Sequence, residues 1–227
     1  MRELEQLKAA GDAGRAADMA AYHKVPRAYL GVAVPLIDEM ARGWRAELDV
    51  AGRVELAAAL WDSDIHEARV AAAKLLTQAR IRPDEPVWTL ICGWVPQFDS
   101  WAIADQMMSA GGRRLVARPE RLDEVETWLG HDNMWVRRAA LVGTMPWTHL
   151  RNPKPEDLAR REQVLGWLDR LAEDHQPFIQ KAIGWWLREL SKHDPQRVRD
   201  WLARDGARLK PAARREAARW LPENRKG

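Results

Sequence analysis

Cysteine is nearly missing from this chain of 227 residues, with Cys92 the only one. An intrachain disulfide is thereby excluded, and the usage fits a reducing compartment. Cys92 ends the apolar run Val87-Trp88-Thr89-Leu90-Ile91-Cys92, where a buried thiol is expected rather than a nucleophile. Histidine is sparse, at positions 23, 66, 131, 149, 175 and 193, and never in a His-x-x-x-His spacing. No metal site and no cofactor are expected. A phosphate-cradling glycine loop is absent too, since Gly111-Gly112 reads as a helix end before Arg113-Arg114. No stretch approaches the roughly 20 apolar residues of a membrane span. The start, Met1-Arg2-Glu3-Leu4-Glu5, is charged rather than secretory. The expectation is a soluble, cytoplasmic, monomeric protein with no membrane partner.

Tyrosine and phenylalanine are scarce at two each, against 13 tryptophans. Lysine supplies only 8 of the 36 basic residues and arginine the other 28. The excess thus falls on the ring that stacks best on cations and bases, and on the planar cation that grips phosphate bidentately. Net charge is only +3, which argues against indiscriminate nucleic-acid binding. The charge is uneven, however: residues 197–227 carry net +6 and residues 1–196 net −3. That basic end fits a solvated arginine-rich helix face or a phosphate-contacting one. At 46% hydrophobic residues, disorder is excluded.

Apolar residues recur at three and four spacing, as in Val54, Leu56, Ala57, Leu60, Trp61 and in Leu158, Val164, Leu165, Leu168, Leu171. Alternating strand patterns are absent. Prolines 35, 83, 86, 119, 146 to 155, 177, 195, 211 and 222 sit near helix starts or ends, giving roughly a dozen helices. Lining up helix starts exposes a repeat. Asp64-Ile-His-Glu-Ala-Arg69-Val-Ala71-Ala72, Asp132-Asn-Met-Trp-Val-Arg137-Arg138-Ala139-Ala140 and His175-Gln-Pro-Phe-Ile-Gln-Lys181-Ala182-Ile183 share a polar start, a basic residue and a small apolar pair. A further helix begins near Asp99, so the offsets are about 35, 33 and 43 residues, near the period of HEAT and armadillo units. An all-α solenoid, read as a single domain over 1–227, is expected; a compact helical bundle is the alternative.

Trp101 and Asp105 stand four apart and so share one helix face. An indole beside a carboxylate is unusual for a core, although Trp101 could simply pack and Asp105 cap or pair with an arginine. Arg137 and Arg138 are adjacent in an apolar helix with Trp135, so at most one shares its buried face; the other leans into a groove or pairs with an acid. Gly184 permits close backbone approach, and of Trp185 and Trp186 one is expected in the core and the other exposed for stacking. Most other tryptophans, including Trp61, Trp135 and Trp167, are assigned to packing.

Ser100-Trp101-x-x-x-Asp105, Asn133-x-Trp135-x-x-Arg138-Ala139-Ala140 and, most specifically, Phe178-Ile-Gln-Lys181-Ala-Ile-Gly-Trp185-x-Leu-Arg-Glu189 resemble the AlkD-type DNA alkylation repair glycosylases. Leu60-Trp61, Ala21-Tyr22 with Leu30-Gly31-Val32-x-x-Pro35, and Arg214-Arg215-Glu216-Ala217 fit the same order, so the resemblance spans nearly the whole chain. It implies a right-handed α-helical solenoid of HEAT-like two-helix repeats with a concave DNA-binding groove. It also implies hydrolysis of the N-glycosidic bond of cationic alkylated purines, such as 3-methyladenine and 7-methylguanine, in double-stranded DNA. Asp105, Trp101 and Trp185 would then be catalytic. Arg138 would lie beside the DNA backbone with Tyr22 nearby, and Lys181, Arg137, Arg214 and Arg215 would contact DNA.

This chain departs from the family pattern Trp-Trp-Asp-x-x-Asp by carrying Ala102 in place of the inner acid. A rival register would match Phe98-Asp99 to the family's Trp-Asp and put Ala102 at the catalytic acid, as in relatives that only bind DNA. The Trp101 and Asp105 register keeps both groups and Ser100. A non-catalytic binder of damaged or branched DNA is therefore the alternative, and a protein-binding helical scaffold a third class, one without salt-dependent DNA affinity.

Overall fold

Proline and short polar side chains start the helices. In the computed structural model, which describes residues 1–221, six helices carry proline in their first two positions: Pro35, Pro86, Pro155, Pro177, Pro195 and Pro211. There the fixed φ is already helical and the missing N–H would have been unpaired anyway. Asp12, Asp49, Asn133 and Asp194 cap others, each side chain accepting from a first-turn N–H at 2.7 to 3.1 Å. The expected helix boundary at Pro222 and the charges of Glu223, Arg225 and Lys226 lie outside the described residues. Among those described there are thirteen α-helices and no strand; one isolated bridge pairs Ala28 with Ile65.

The chain divides into two compact units, residues 1–117 and the residues from 118 onward. In the first, α1 (Arg2–Ala9), α2 (Ala13–His23), α3 (Val34–Glu47), α4 (Val50–Asp62), α6 (Glu85–Trp94) and α7 (Trp101–Ala117) accompany a central α5 (His66–Leu76). Helix α5 packs on α3, α4 and α7, and all of it except Lys74 is buried. Its run Ala71-Ala72-Ala73 keeps the neighbouring helices close. In the second unit, α8 (Leu122–Thr127), α9 (Met134–Gly143), α10 (Pro155–Leu171), α12 (Pro195–Asp205) and α13 (Pro211–Ala218) accompany α11 (Pro177–Ser191). Helix α11 packs on α9, α12 and α13. The starts of α5, α7, α9 and α11, at 66, 101, 134 and 177, reproduce the repeat offsets read from sequence, as an α-solenoid requires.

One expectation is corrected. Gly111-Gly112 does not end a helix: both residues are buried inside α7, which continues to Ala117. The helix continues because α7 is packed on α5 and α6, which outweighs the weak helix preference of two glycines. Gly184, by contrast, behaves as expected. A Cβ there would meet the Ala213 carbonyl at 2.9 Å and the Glu216 Cβ at 3.2 Å, so its absence lets α13 lie against α11.

The loop between α2 and α3, residues 24–33, buries Val32 and is held at its far end by one carboxylate. Buried Glu67 on α5 accepts the backbone N–H groups of Leu30 at 2.9 Å, Gly31 at 2.7 Å and Val32 at 3.3 Å. Gly31 has φ +78°, and a Cβ there would sit 2.1 Å from the Asp12 carbonyl oxygen. The returning loop also accepts from Asp12 N–H through Leu30 and from the Arg15 guanidinium through Gly31.

Truncating Glu67 strands three inward-facing donors, each costing about 1–3 kcal/mol. Glu67→Ala is therefore expected to lower unfolding free energy by roughly 3–5 kcal/mol in urea titrations, allowing for partial rehydration of the loop. A loss below about 1 kcal/mol would contradict this role.

Candidate nucleic-acid site

In the first unit the relevant side chains gather where α2 ends and α7 begins. Ser100, buried, precedes α7, and its hydroxyl accepts from the Ile103 N–H at 3.4 Å. Trp101 opens the helix and Asp105 follows one turn later; both are half-buried, while Ala102, Ile103 and Ala104 between them face the core. The indole of Trp101 meets Tyr22 edge-on at 6.3 Å and 88°. Tyr22 is 70% exposed, which leaves its outer face to solvent. The structure thus brings together three of the residues singled out by sequence: Tyr22, Trp101 and Asp105.

Behind Trp101 lies a layer of rings that sequence reasoning missed. His23 approaches Trp101 at 5.8 Å and stacks on His66 at 4.6 Å, and Tyr29 covers His66 at 5.0 Å. Burial holds the His23 imidazole below its ordinary range, opposed by the charge of Glu67. Burial also pushes His66 down to about 3, helped by His23 and by the Arg27 cation. Both imidazoles are therefore neutral at neutral pH, and the layer supporting Trp101 is an uncharged aromatic stack.

The rival residues are occupied otherwise. Phe98 is 1% exposed and lies 6.1 Å from Trp61 in the core. Asp99 forms an ion pair with Arg27, whose guanidinium also reaches Asp64 at 3.1 Å. Arg69 joins Asp64 at 3.0 Å and lies 4.4 Å over the ring of Trp61. This chain of alternating charges was not foreseen either, because its members stand up to 72 residues apart.

In the second unit α9 and α11 present a separate surface. Trp135, expected only to pack, is half-buried and meets Phe178 at 4.7 Å. The Lys181 ammonium lies 5.0 Å from the Phe178 ring and is exposed. Arg138, expected beside a DNA backbone, is 6% exposed and donates to the Phe178 carbonyl at 2.7 Å, so it holds this surface from within. Arg137 is tied to Asp174 at 2.8 Å and to the His131 and Asp132 carbonyls. The neighbouring tryptophans separate as the sequence suggests. Trp186 is fully buried and donates to Thr144 Oγ1 at 3.2 Å, while Trp185, one turn beyond Lys181, remains half-exposed. Arg214 and Arg215 are exposed on α13 and, with Arg219, line an open depression of about 550 Å³.

Among the described residues no cluster of three or more His, Cys, Asp or Glu could hold a metal ion, and no helix is long and apolar enough to cross a membrane. Successive helices repeating at about 35-residue intervals, with half-exposed indoles and cations set on the repeating helices, define an all-α helical-repeat protein. The chain belongs to the DNA alkylation repair enzyme family, whose model matches residues 4–221. Its fold is shared with a "predicted DNA alkylation repair enzyme" of Enterococcus faecalis at TM-score 0.76 and 24% identity, over 94% of this chain and 97% of that one. AlkD2 from Streptococcus mutans gives TM-score 0.63 and 20% identity over 84% and 91%. Smu.31 from Streptococcus mutans UA159 gives 0.62 and 20% over 83% and 92%. No curated protein matches the chain.

The neutral histidine stack makes stability pH-dependent in a definite direction. His66 titrates lower in the folded than in the unfolded chain, so its contribution is complete above about pH 6.5 and is lost as pH falls from there toward 3. The slope approaches about 1.4 kcal/mol per pH unit for one such group. Melting temperatures should hold steady above pH 7 and decline below 6.5, with a shallower decline in His66→Phe. An equal acid decline in that variant would contradict the assignment.

Proposed function

We propose that this protein is a DNA glycosylase that hydrolyses the N-glycosidic bond of cationic alkylated purines in duplex DNA, as the first step of base excision repair. The observation that carries the reading is the pairing on α7 of half-exposed Trp101 with Asp105, one turn apart and flanked by exposed Tyr22. The chemistry suits those groups. A purine methylated at N3 or N7 already bears positive charge, so its departure with the bonding electron pair needs no general acid. Cleavage leaves positive charge on the deoxyribose, which the Asp105 carboxylate stabilises while orienting the water that adds at C1′. The proton of that water passes to the carboxylate or to solvent. Preorganised stabilisation of this kind is typically worth several kcal/mol.

Trp101 offers its indole to the cationic base, an attraction of about 0.5–2 kcal/mol. Its backing of neutral rings favours this role, since a protonated imidazole behind it would repel the same cation. Trp185 is assigned as a second indole on the sequence resemblance and on its half-exposure. Lys181, Arg214 and Arg215 are exposed cations suited to phosphates, which they would grip without reading sequence. Arg138 acts from behind, fixing the Phe178 surface, while Arg137 ties the start of α9 to Asp174. Burial of Phe98, which takes the place of Trp101 in the rival register, and the pairing of Asp99 with Arg27 favour Trp101 and Asp105 as the working pair.

With N-methylated duplex DNA, the wild-type protein should release free methylpurine. Asp105→Asn should slow release at least ~100-fold, as loss of several kcal/mol of transition-state stabilisation requires. Its affinity for the duplex should persist. Duplex binding by both proteins without release by either would favour the non-catalytic binder, a reading that Ala102 in place of the family's inner acid keeps in view.

A further inference from the structure

We propose that Arg27 is a positioning residue that sets the placement of Trp101, and through it the reaction assigned above. The inference rests on that functional reading for its kinetic consequence alone; the structural claim stands by itself. Arg27 lies in the loop after α2, five residues beyond Tyr22, and its side chain is only 3% exposed. Its Nη2 pairs with Asp99, two residues before Trp101, and with Asp64 at 3.1 Å. On the other side, Tyr22 and His23 touch the Trp101 ring directly.

These contacts close a short loop of interactions. From the end of α2 the chain runs to Arg27, crosses by the ion pair to Asp99, continues through Ser100 to Trp101, and returns by ring contacts to Tyr22 and His23. Two independent links therefore join the same two chain segments, one apolar and one ionic. The ring contacts alone permit sliding, because edge-on and tilted aromatic pairs at about 6 Å are soft. The ion pair between a buried guanidinium and a carboxylate is directional and short, and it fixes the offset. Asp64 supports it from the other side, held in turn by Arg69 on α5.

Arg27 is also under-supplied with partners. Among the described residues its buried Nε and Nη1 have no hydrogen-bond acceptor, nor does Asp99 Oδ1 have a donor. Here the two carboxylates it reaches flank the starts of α5 and α7, which suits a brace between those helix starts more than a core filler. The loop carrying it is also held by Glu67, through the N–H groups of Leu30, Gly31 and Val32.

The test uses full-length protein labelled with 5-fluorotryptophan, with the Trp101 resonance assigned by its loss in Trp101→Phe. In Arg27→Met and Asp99→Asn the Trp101 signal should shift or broaden, while those of Trp44 and Trp88, buried in the same unit, stay in place. Arg27→Lys, which keeps the charge, should move it part of the way back. Single-turnover release of methylpurine should fall about 10- to 100-fold in Arg27→Met, as a displacement near 1 Å predicts, with unchanged affinity for undamaged duplex. If the wild-type protein releases no base, the functional reading fails but the fluorine spectra still decide the placement of Trp101. An unmoved Trp101 signal in both variants would overturn the proposal. So would a collective shift of all tryptophans in both, which would mark a purely structural residue.

Discussion

The first unit is organised around the buried carboxylate of Glu67. A charge removed from water is costly unless its lone pairs are satisfied, and here three consecutive backbone N–H groups satisfy them. The exchange works in both directions. Glu67 obtains its donors, and the loop obtains a fixed path at residues 30–32. That path requires Gly31 at positive φ where the chain passes the Asp12 carbonyl. The same loop carries Arg27 beside Asp99 and Tyr29 over His66, and it follows directly on Tyr22 and His23 at the end of α2, which meet Trp101.

The same economy explains the uneven composition. Nine tryptophans are buried, several with their indole N–H directed at a side-chain oxygen, as in Trp44 with Gln6, Trp61 with Gln97 and Trp201 with Asp169. The large ring fills space between repeats while the polar edge finds a partner. Trp101, Trp135 and Trp185 are the half-buried ones, and Trp220 is exposed beside Lys192 and Arg219. Arginine divides in the same manner. Arg114 and Arg161 lie wholly inside and bind backbone carbonyls, whereas Arg214 and Arg215 face solvent. A low net charge is thus compatible with a nucleic-acid partner, because many cations are held within the fold while Arg214, Arg215 and Arg219 line one open depression.

Local signals in the sequence carried over well. Proline placement, small-residue pairs and the 35, 33 and 43 offsets describe features that repeat along the chain, so helix starts and the solenoid class were legible from them. The split between Trp185 and Trp186 was legible because neighbours in an α-helix point about 100° apart, so one can face the core while the other does not. Pairings across long separations were not. Nothing periodic marks Arg27 for Asp99 or Glu67 for the loop at 30–32, and of two adjacent arginines the spacing could not say that Arg138 turns to Phe178 and Arg137 to Asp174. Gly111-Gly112 misled because two glycines signal a helix end, whereas α7 is held as a helix by its packing on α5 and α6, and packing is invisible in one sequence.

The central claim is that the indole and carboxylate at the start of α7 act on a cationic purine instead of only lying near DNA. The most direct measurement is chromatographic detection of free 7-methylguanine and 3-methyladenine after incubating the wild-type protein with N-methylated duplex DNA. The account predicts free base that accumulates in proportion to protein and time, leaving abasic sites in the duplex. Tight, salt-dependent retention of the duplex with no free base would contradict it.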